Sequence, residues 1–149
     1  MKIELEAYDH TQRPQAEKIH GIIAEYYTRS PWPPTVERIM AGGVRYFKAL
    51  LDGTEVGLTG YALKTPTLAE TVKTTVFRDF QGRGLGSEIS ERIEEECRRA
   101  GIKKVMTTIY HFNHAMISIK LKQGYTIEGY HPDHEAPGFH EYSLGKVLR

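Results

Sequence analysis

The residues best suited to chemistry in this chain form a short glycine loop, Gln81–Gly86, with three glycines at alternate positions. Glycine tolerates positive φ angles and lets a ligand approach the backbone closely. The β-branched residues 71–77 predict a strand before the loop, and apolar residues at four-residue steps from Leu85 to Cys97 predict a helix after it. Because a helix N-terminus attracts anions, the loop predicts a diphosphate site to which Arg83 adds a charge. The alternative is a plain strand-to-helix turn.

Two familiar phosphate-binding motifs do not fit this loop. A P-loop ends in Gly-Lys-Ser/Thr, which is missing here. A dinucleotide-binding loop needs glycine at the position of Ser87 and an acidic residue near the end of the next strand, which instead ends in Tyr110-His111. The sequence therefore favours a diphosphate ligand of another kind.

The loop lies within a series of predicted strands and helices. Alternating or β-branched segments predict strands over residues 3–8, 44–51, 55–63, 71–77, 103–110, 125–130 and 141–148. Helical spacing predicts helices over residues 16–27 and 36–41, from Leu85 to Gly101, and from the N-cap Asn113 to Gly124. The Asp52-Gly53 step predicts a hairpin, and the strand–helix–strand order around the loop predicts a parallel crossover.

The glycine loop resembles the Q/R-x-x-G-x-G/A pyrophosphate loop of the GNAT family of N-acetyltransferases, whose loop amides bind the pyrophosphate of acetyl-CoA. A second block is similar to the family as well, because Asn113 opens a helix that is followed at the expected distance by Gly124-Tyr125. Two positions depart from the family pattern: Arg78 stands where proline is common, and Lys120 stands where a tyrosine is common. The resemblance covers roughly residue 44 to the C-terminus, and the first third by element order alone.

The resemblance implies a single domain over residues 1–149 with the α/β (α+β) GNAT acyl-CoA N-acyltransferase fold. The expected sheet is mixed and mostly antiparallel, with about six to seven strands flanked by about four helices. The implied reaction moves an acetyl group from acetyl-CoA directly to an amine, with no metal. The expected acetyl-CoA contacts are Val76, Phe77, Arg78, Gln81, Gly82, Arg83, Gly84, Leu85, Gly86, Ser87, Asn113 and Met116.

Four side chains are candidates for catalysis or acceptor binding. Glu70 lies eleven residues before Gln81, as the general base does in the histone acetyltransferase branch of the family, and the alternative is an exposed strand-edge carboxylate. Lys120, in the tyrosine position, could protonate the leaving thiolate if its pKa is depressed, and solvent or another tyrosine are the alternatives. Tyr26 and Trp32 are expected to line the acceptor site, although Trp32 could instead pack at the core edge.

Composition narrows the class of protein. The chain has 149 residues, a net charge of +1 and one cysteine, Cys97, which argues against nucleic acid as a partner and excludes an internal disulfide. No segment has the pattern of a membrane span or a signal peptide, so we expect a cytoplasmic protein that does not bind membranes.

The expected partners are acetyl-CoA and an amine acceptor, and a homodimer is left open. Two other functions are left open: a non-catalytic acyl-CoA-binding module, and a small metal-binding protein that uses the loop His131–His140.

Overall fold

The computed structural model describes residues 2–149, which form seven strands in one sheet and four α-helices. The strands are β1 (Ile3–Ala7), β2 (Arg45–Leu51), β3 (Thr54–Thr65), β4 (Leu68–Val76), β5 (Lys104–Tyr110), β6 (Thr126–His131) and β7 (Glu141–Val147). The helices are α1 (Arg13–Tyr26), α2 (Val36–Met40), α3 (Leu85–Arg99) and α4 (His114–Lys122), and a 3₁₀ turn covers Arg78–Phe80. This arrangement confirms the predicted fold class. Within the described range, no helix is both long enough and apolar enough to cross a membrane.

The order of the strands places a gap in the middle of the sheet. The order is β1-β2-β3-β4-β5-β7-β6, and β4 runs parallel to β5 whereas the other neighbours are antiparallel. Helix α3 makes the predicted crossover between β4 and β5. These two strands pair only over Leu68–Glu70 and Lys104–Met106, and they separate beyond that point. Strand β7 follows β5 along its length and places Glu141 opposite Tyr110.

Helices cover both faces of the sheet. Neighbouring residues of a strand point to opposite faces, and on β2 Tyr46 packs in a core with α1 and α2 while Phe47 packs in a core with α3. The apolar stripe of α3 is fully buried, as its spacing predicts, through Leu85, Ile89, Ile93 and Cys97. This packing fixes the N-terminus of α3, and with it the glycine loop, against the sheet.

Strand β4 carries a bulge where it faces β3. Lys73 and Thr74 of β4 lie opposite the single residue Thr59 of β3. Lys73 has a φ of 55°, in the left-handed region that residues other than glycine rarely adopt. Gly57 of β3 packs against the strand just after the bulge, and a Cβ there would collide with the carbonyl oxygen of Thr75. Because bulges redirect side chains, this one determines which residues of β4 face the gap.

The start of β4 differs from the sequence-based boundary. The strand begins at Leu68, three residues earlier than predicted, and Glu70 lies inside the strand and not at its start. The Thr65 hydroxyl accepts hydrogen bonds from the amides of Thr67 and Leu68 and so closes the turn before β4. The prediction relied on the pattern of residue types along the strand, which does not reveal this side-chain hydrogen bond.

Candidate active site

The separation of β4 and β5 opens a cavity of about 230 Å³ in the middle of the sheet. At the narrow end, the Thr107 hydroxyl donates to the Thr71 carbonyl oxygen at 3.1 Å and joins the two strands. The charged residues that line the cavity come from β4, α4, β7 and the loop before β7; they are Glu70, Lys73, Lys120, Glu135 and Glu141. Three carboxyl groups and two amines in one cavity make it a candidate site for proton transfer.

Two of the carboxyl groups, those of Glu135 and Glu141, form a pair at the wide end of the cavity. Glu141 is the first residue of β7 and is only 4% exposed. Burial raises the pKa of Glu141 to about 7, helped by a hydrogen bond with the Glu135 carboxyl group and by the charges of Glu135 and Glu70, and opposed by Lys73. The Tyr110 hydroxyl donates to Glu135 Oε2 at 2.5 Å. The raised pKa lets Glu141 hold a proton near neutral pH.

Glu70, the predicted base, lies at the narrow end of the same cavity. It occupies the last position at which β4 pairs with β5, opposite Met106. Its side chain is 18% exposed, and one of its carboxylate oxygens lies 3.4 Å from Lys64 Nζ. Glu70 is thus largely buried and faces the cavity, in contrast to an exposed strand-edge carboxylate, while its role as a base stays a prediction.

Lys73 brings a positive charge into the wall of the cavity. Its Nζ lies 4.5 Å from the centre of the Tyr27 ring, a favourable position for a cation over an aromatic face. Burial lowers the pKa of Lys73, and the charges of Glu135, Glu141 and Glu70 oppose this effect. Lys73 therefore offsets part of the negative charge that the carboxyl groups carry.

Lys120, the predicted acid, is 1% exposed and lies on α4. Its Nζ donates to Ser90 Oγ at 2.7 Å and lies 4.7 Å from the centre of the Tyr125 ring. Burial lowers the pKa of Lys120 to about 8, close to the value that suits a general acid near neutral pH. The protonation of the thiolate by Lys120 stays a prediction. Asn113 and Met116 also line the cavity, and the Asn113 side chain caps α4 by accepting from the Met116 amide at 3.3 Å.

The glycine loop has the geometry that an anion requires. Gly82 has a φ of 80° and Gly84, the N-cap of α3, has a φ of 77°. No atom lies within 4 Å of the position that a Cβ would take at either glycine, so both face open space. Within residues 2–149, the amides of 82–87 donate no hydrogen bond to another residue. The Gln81 side chain fixes the loop by donating to the Val76 carbonyl oxygen at 2.9 Å. These residues fit a diphosphate.

The two predicted acceptor-binding residues lie outside the cavity lining. Tyr26 stacks on Phe77 at 5.6 Å, and its hydroxyl accepts from the Arg78 amide, so it lies where β4 leads into the glycine loop. Trp32 is 73% exposed and does not pack at the core edge. Its indole Nε1 donates to the Glu135 carbonyl oxygen at 2.9 Å, which ties the loop after α1 to the loop before β7. Their contact with an acceptor stays a prediction.

Sequence reasoning missed Glu135 and Glu141 because it considered only the histidines and Asp133 of the loop before β7, as possible metal ligands. In the described residues, no group of three or more His, Cys, Asp or Glu side chains could hold a metal ion. His131 and His134 face each other with ring centres 4.9 Å apart, and His131 Nε2 lies 3.1 Å from the Ser143 hydroxyl. No spacing signal marks the two glutamates, which come together with Glu70 only through the order of the strands.

Comparison with known proteins gives a family and a fold. A model of the acetyltransferase (GNAT) family matches residues 6–125. No curated protein matches the sequence significantly. The solved structures that share the fold include an acetyltransferase of the GNAT family from Streptococcus pneumoniae, with 16% identity, a TM-score of 0.74, and 99% of this chain and 100% of that chain covered.

Two further structures are similar at the same low level of identity. Ard1 from Thermoplasma volcanium has 16% identity and a TM-score of 0.78, with 100% of this chain and 99% of that chain covered. The protein yncA from Salmonella typhimurium, solved with its cofactor acetyl-CoA, has 15% identity and a TM-score of 0.77, with 100% of this chain and 95% of that chain covered. At this identity, the likeness shows the fold.

Proposed function

Because this chain belongs to the acetyltransferase (GNAT) family and is an acetyl-CoA-dependent acetyltransferase, we propose that it transfers the acetyl group directly to a primary amine of a peptide, a protein or a small molecule. The observation that carries the proposal is the path of β4. This strand leads from Glu70 at the cavity to Val76, and the 3₁₀ turn Arg78–Phe80 then leads into the glycine loop. A ligand anchored by its diphosphate at the loop can extend along the edge of β4 that β5 leaves free, and so reach the cavity.

The proposed reaction uses groups at both ends of this path. The loop amides and Arg83 bind the diphosphate, and the segment Val76–Arg78 with Asn113 and Met116 contacts the rest of the cofactor. Glu70 accepts a proton from the acceptor ammonium, and the neutral nitrogen then attacks the acetyl carbonyl carbon. A β4 amide near Val76 stabilises the charge that develops on the carbonyl oxygen. The carbon–sulfur bond breaks, Lys120 gives a proton to the thiolate, and the nitrogen loses its second proton to solvent as the amide forms.

The proposal is tested by incubating the protein and acetyl-CoA with a panel of amines: a peptide N-terminus, a lysine side chain, a polyamine and an aminoglycoside. Thiol release and the mass of the acetylated product report transfer. We expect at least one acceptor to be acetylated, and Lys120→Met to lower kcat with little change in the KM for acetyl-CoA. Binding of CoA without turnover across the panel would instead identify an acyl-CoA-binding module.

A further inference from the structure

The proposed reaction gives no role to the most deeply buried carboxyl group of the cavity. Glu141 is 4% exposed and lines the same cavity as Glu70 and Lys120. Within residues 2–149, neither Glu141 nor Glu135 lies within 4.0 Å of a cationic nitrogen, and the Glu135 carboxyl group lies beside that of Glu141 in the cavity lining. A buried carboxylate is ordinarily paired with a cation, so Glu141 lacks its usual partner.

The groups around Glu141 do not supply that partner. Lys73 of β4 faces the pair, but its Nζ rests over the ring of Tyr27, which directly follows α1, and its single charge is shared with Glu70. From β5, the Tyr110 hydroxyl binds Glu135 and carries no charge, because burial raises its pKa to about 12. From α4, Lys120 lines the same cavity, but its Nζ donates to Ser90 Oγ, and the loop before β7 brings no cationic nitrogen within 4.0 Å of either carboxyl group. The wide end of the cavity is therefore short of positive charge.

The surrounding structure holds the pair in place. The Tyr110 hydroxyl anchors the Glu135 carboxyl group, and the Trp32 indole anchors the Glu135 backbone at 2.9 Å. Glu141 is fixed by the pairing of β7 with both β5 and β6. Glu141 is buried at the wide end of the cavity with the exposed Glu135 beside it, and a cation that enters the cavity would stabilise the negative charges of both carboxyl groups.

We propose that the Glu135–Glu141 pair binds the ammonium group of the acceptor, and that the acceptors are primary alkylammonium compounds with no carboxylate on the carbon that bears the nitrogen. The inference rests on the proposed function and assigns the specificity of that site. A carboxylate next to the nitrogen, as in a free α-amino acid, would lie against the pair and be repelled by it. The terminal amine of a small alkylamine, a lysine side chain or a peptide N-terminus meets the requirement.

The first test compares the KM values of acceptors. Putrescine, a short amidated peptide with a free N-terminus, and free alanine are assayed with the wild type, Glu141→Gln and Glu135→Gln. We expect putrescine or the peptide to be acetylated in preference to alanine, and both substitutions to raise the KM for the amine at least tenfold while the KM for acetyl-CoA is unchanged. Glu128→Gln, a carboxylate on β6 outside the cavity, is the matched control and should behave as the wild type.

The second test measures proton release, which a structural role alone would not produce. Below pH 7 Glu141 holds a proton, and a bound ammonium favours its ionised form, so amine binding should expel that proton. Putrescine is titrated calorimetrically into the CoA-saturated protein at about pH 6 in two buffers with different ionisation enthalpies. The wild type and Glu128→Gln should give heats that depend on the buffer, and Glu141→Gln should not. Glu135→Gln serves in its place if Glu141→Gln does not fold.

The outcomes separate this inference from the function on which it rests. Acetylation of alanine in preference to both other amines would overturn the inference and leave the acetyltransferase proposal standing. Heats of putrescine binding that are the same for the wild type and the variants would overturn it as well. Glu70→Gln provides the contrast, because the loss of the base should lower kcat without weakening amine binding. No acetylated amine at all would overturn the proposed function and the inference together.

Discussion

A single substitution at Glu70 tests whether this residue acts as a base or only forms hydrogen bonds. Glu70→Gln keeps the size of the side chain at the narrow end of the cavity but removes its basicity. If proton removal limits the reaction, kcat should fall roughly 10²–10⁴-fold, the usual range for general base catalysis. Raising the pH should partly restore kcat, because more of the acceptor amine is then already neutral. Steady-state kinetics over a pH series measures both effects.

The control for Glu70→Gln is the affinity for acetyl-CoA, which should barely change because Glu70 lies outside the glycine loop. The substitution also breaks the ion pair with Lys64, but that pair is partly exposed and contributes little to stability. A variant with the kcat and the pH profile of the wild type would show that the amine loses its proton elsewhere.

Lys120 links the stability of the protein to pH. Its pKa of about 8 lies below the ordinary value of 10.5, so between these values the unfolded chain binds the proton more tightly than the folded protein does. The buried charge therefore lowers stability below pH 8, and the penalty disappears as the pH rises to 10.5. Lys120→Met should raise the free energy of unfolding at pH 7 by about 3 kcal/mol, less about 1 kcal/mol for the lost bond to Ser90.

Urea denaturation of the wild type and Lys120→Met at pH 7 and near pH 10 measures this linkage. We expect the free energy of unfolding of Lys120→Met, relative to that of the wild type, to be lower near pH 10 than at pH 7, because the wild type then no longer buries a charge. A difference that is independent of pH would show that Lys120 does not lose its proton more easily in the folded protein.

At the scale of elements, the packing of β3 on β4 determines the shape of the gap. In Gly57→Ala, the new Cβ collides with the Thr75 carbonyl oxygen, which is backbone and can move only with β4. We expect a loss of about 2–4 kcal/mol in the free energy of unfolding, within the range for a steric defect in a packed core. Gly21→Ala in α1 is the matched control, because no atom lies within 4 Å of its added Cβ.

The control, Gly21→Ala, should change the free energy of unfolding in the opposite direction. Alanine favours a helix over glycine, so Gly21→Ala should raise the free energy of unfolding by roughly 0.5–1 kcal/mol. Urea denaturation of both variants at one pH gives the comparison. A Gly57→Ala protein as stable as the wild type would mean that β4 can shift without cost, and that the position of the bulge is not fixed by β3.

At the scale of the whole molecule, the binding of acetyl-CoA should stabilise the folded state. At a hundred times its Kd, a ligand that binds only the folded protein adds about 2.7 kcal/mol. For a chain of this size, that gain corresponds to a rise in Tm of roughly 5–10 °C. Thermal unfolding with and without acetyl-CoA measures the rise, and an unchanged Tm at saturating ligand would contradict it.

Gly84→Val localises this effect to the glycine loop. Gly84 has a φ of 77°, which valine adopts only with strain, and the branched side chain would occupy the space over the loop amides. The affinity for CoA should fall at least tenfold, about 1.4 kcal/mol, and the rise in Tm should shrink accordingly. The Tm of the variant without ligand separates strain from lost binding. A calorimetric Kd equal to that of the wild type would remove the loop from the binding site.

The sequence by itself determined the local elements of this protein and predicted one part of the site. The period of the apolar residues identified α3, and the Asp52-Gly53 step identified the β2–β3 hairpin, while the anion site at the glycines before α3 stays a prediction. These features arise from residues close together in the chain, where backbone sterics and periodicity act directly. The resemblance carried by the loop and by the Asn113 block correctly gave the family.

Only the tertiary structure decided which charged groups share the cavity. Glu70 and Glu141 lie far apart in the chain, and they line one cavity because β5 is placed between β4 and β7 in the sheet. The partners and burial of Lys120, and the turn of Lys73 at the bulge, likewise depend on packing between distant segments. The order of strands and the depth of burial set the local charge and dielectric, and with them the pKa values on which the proposed chemistry depends.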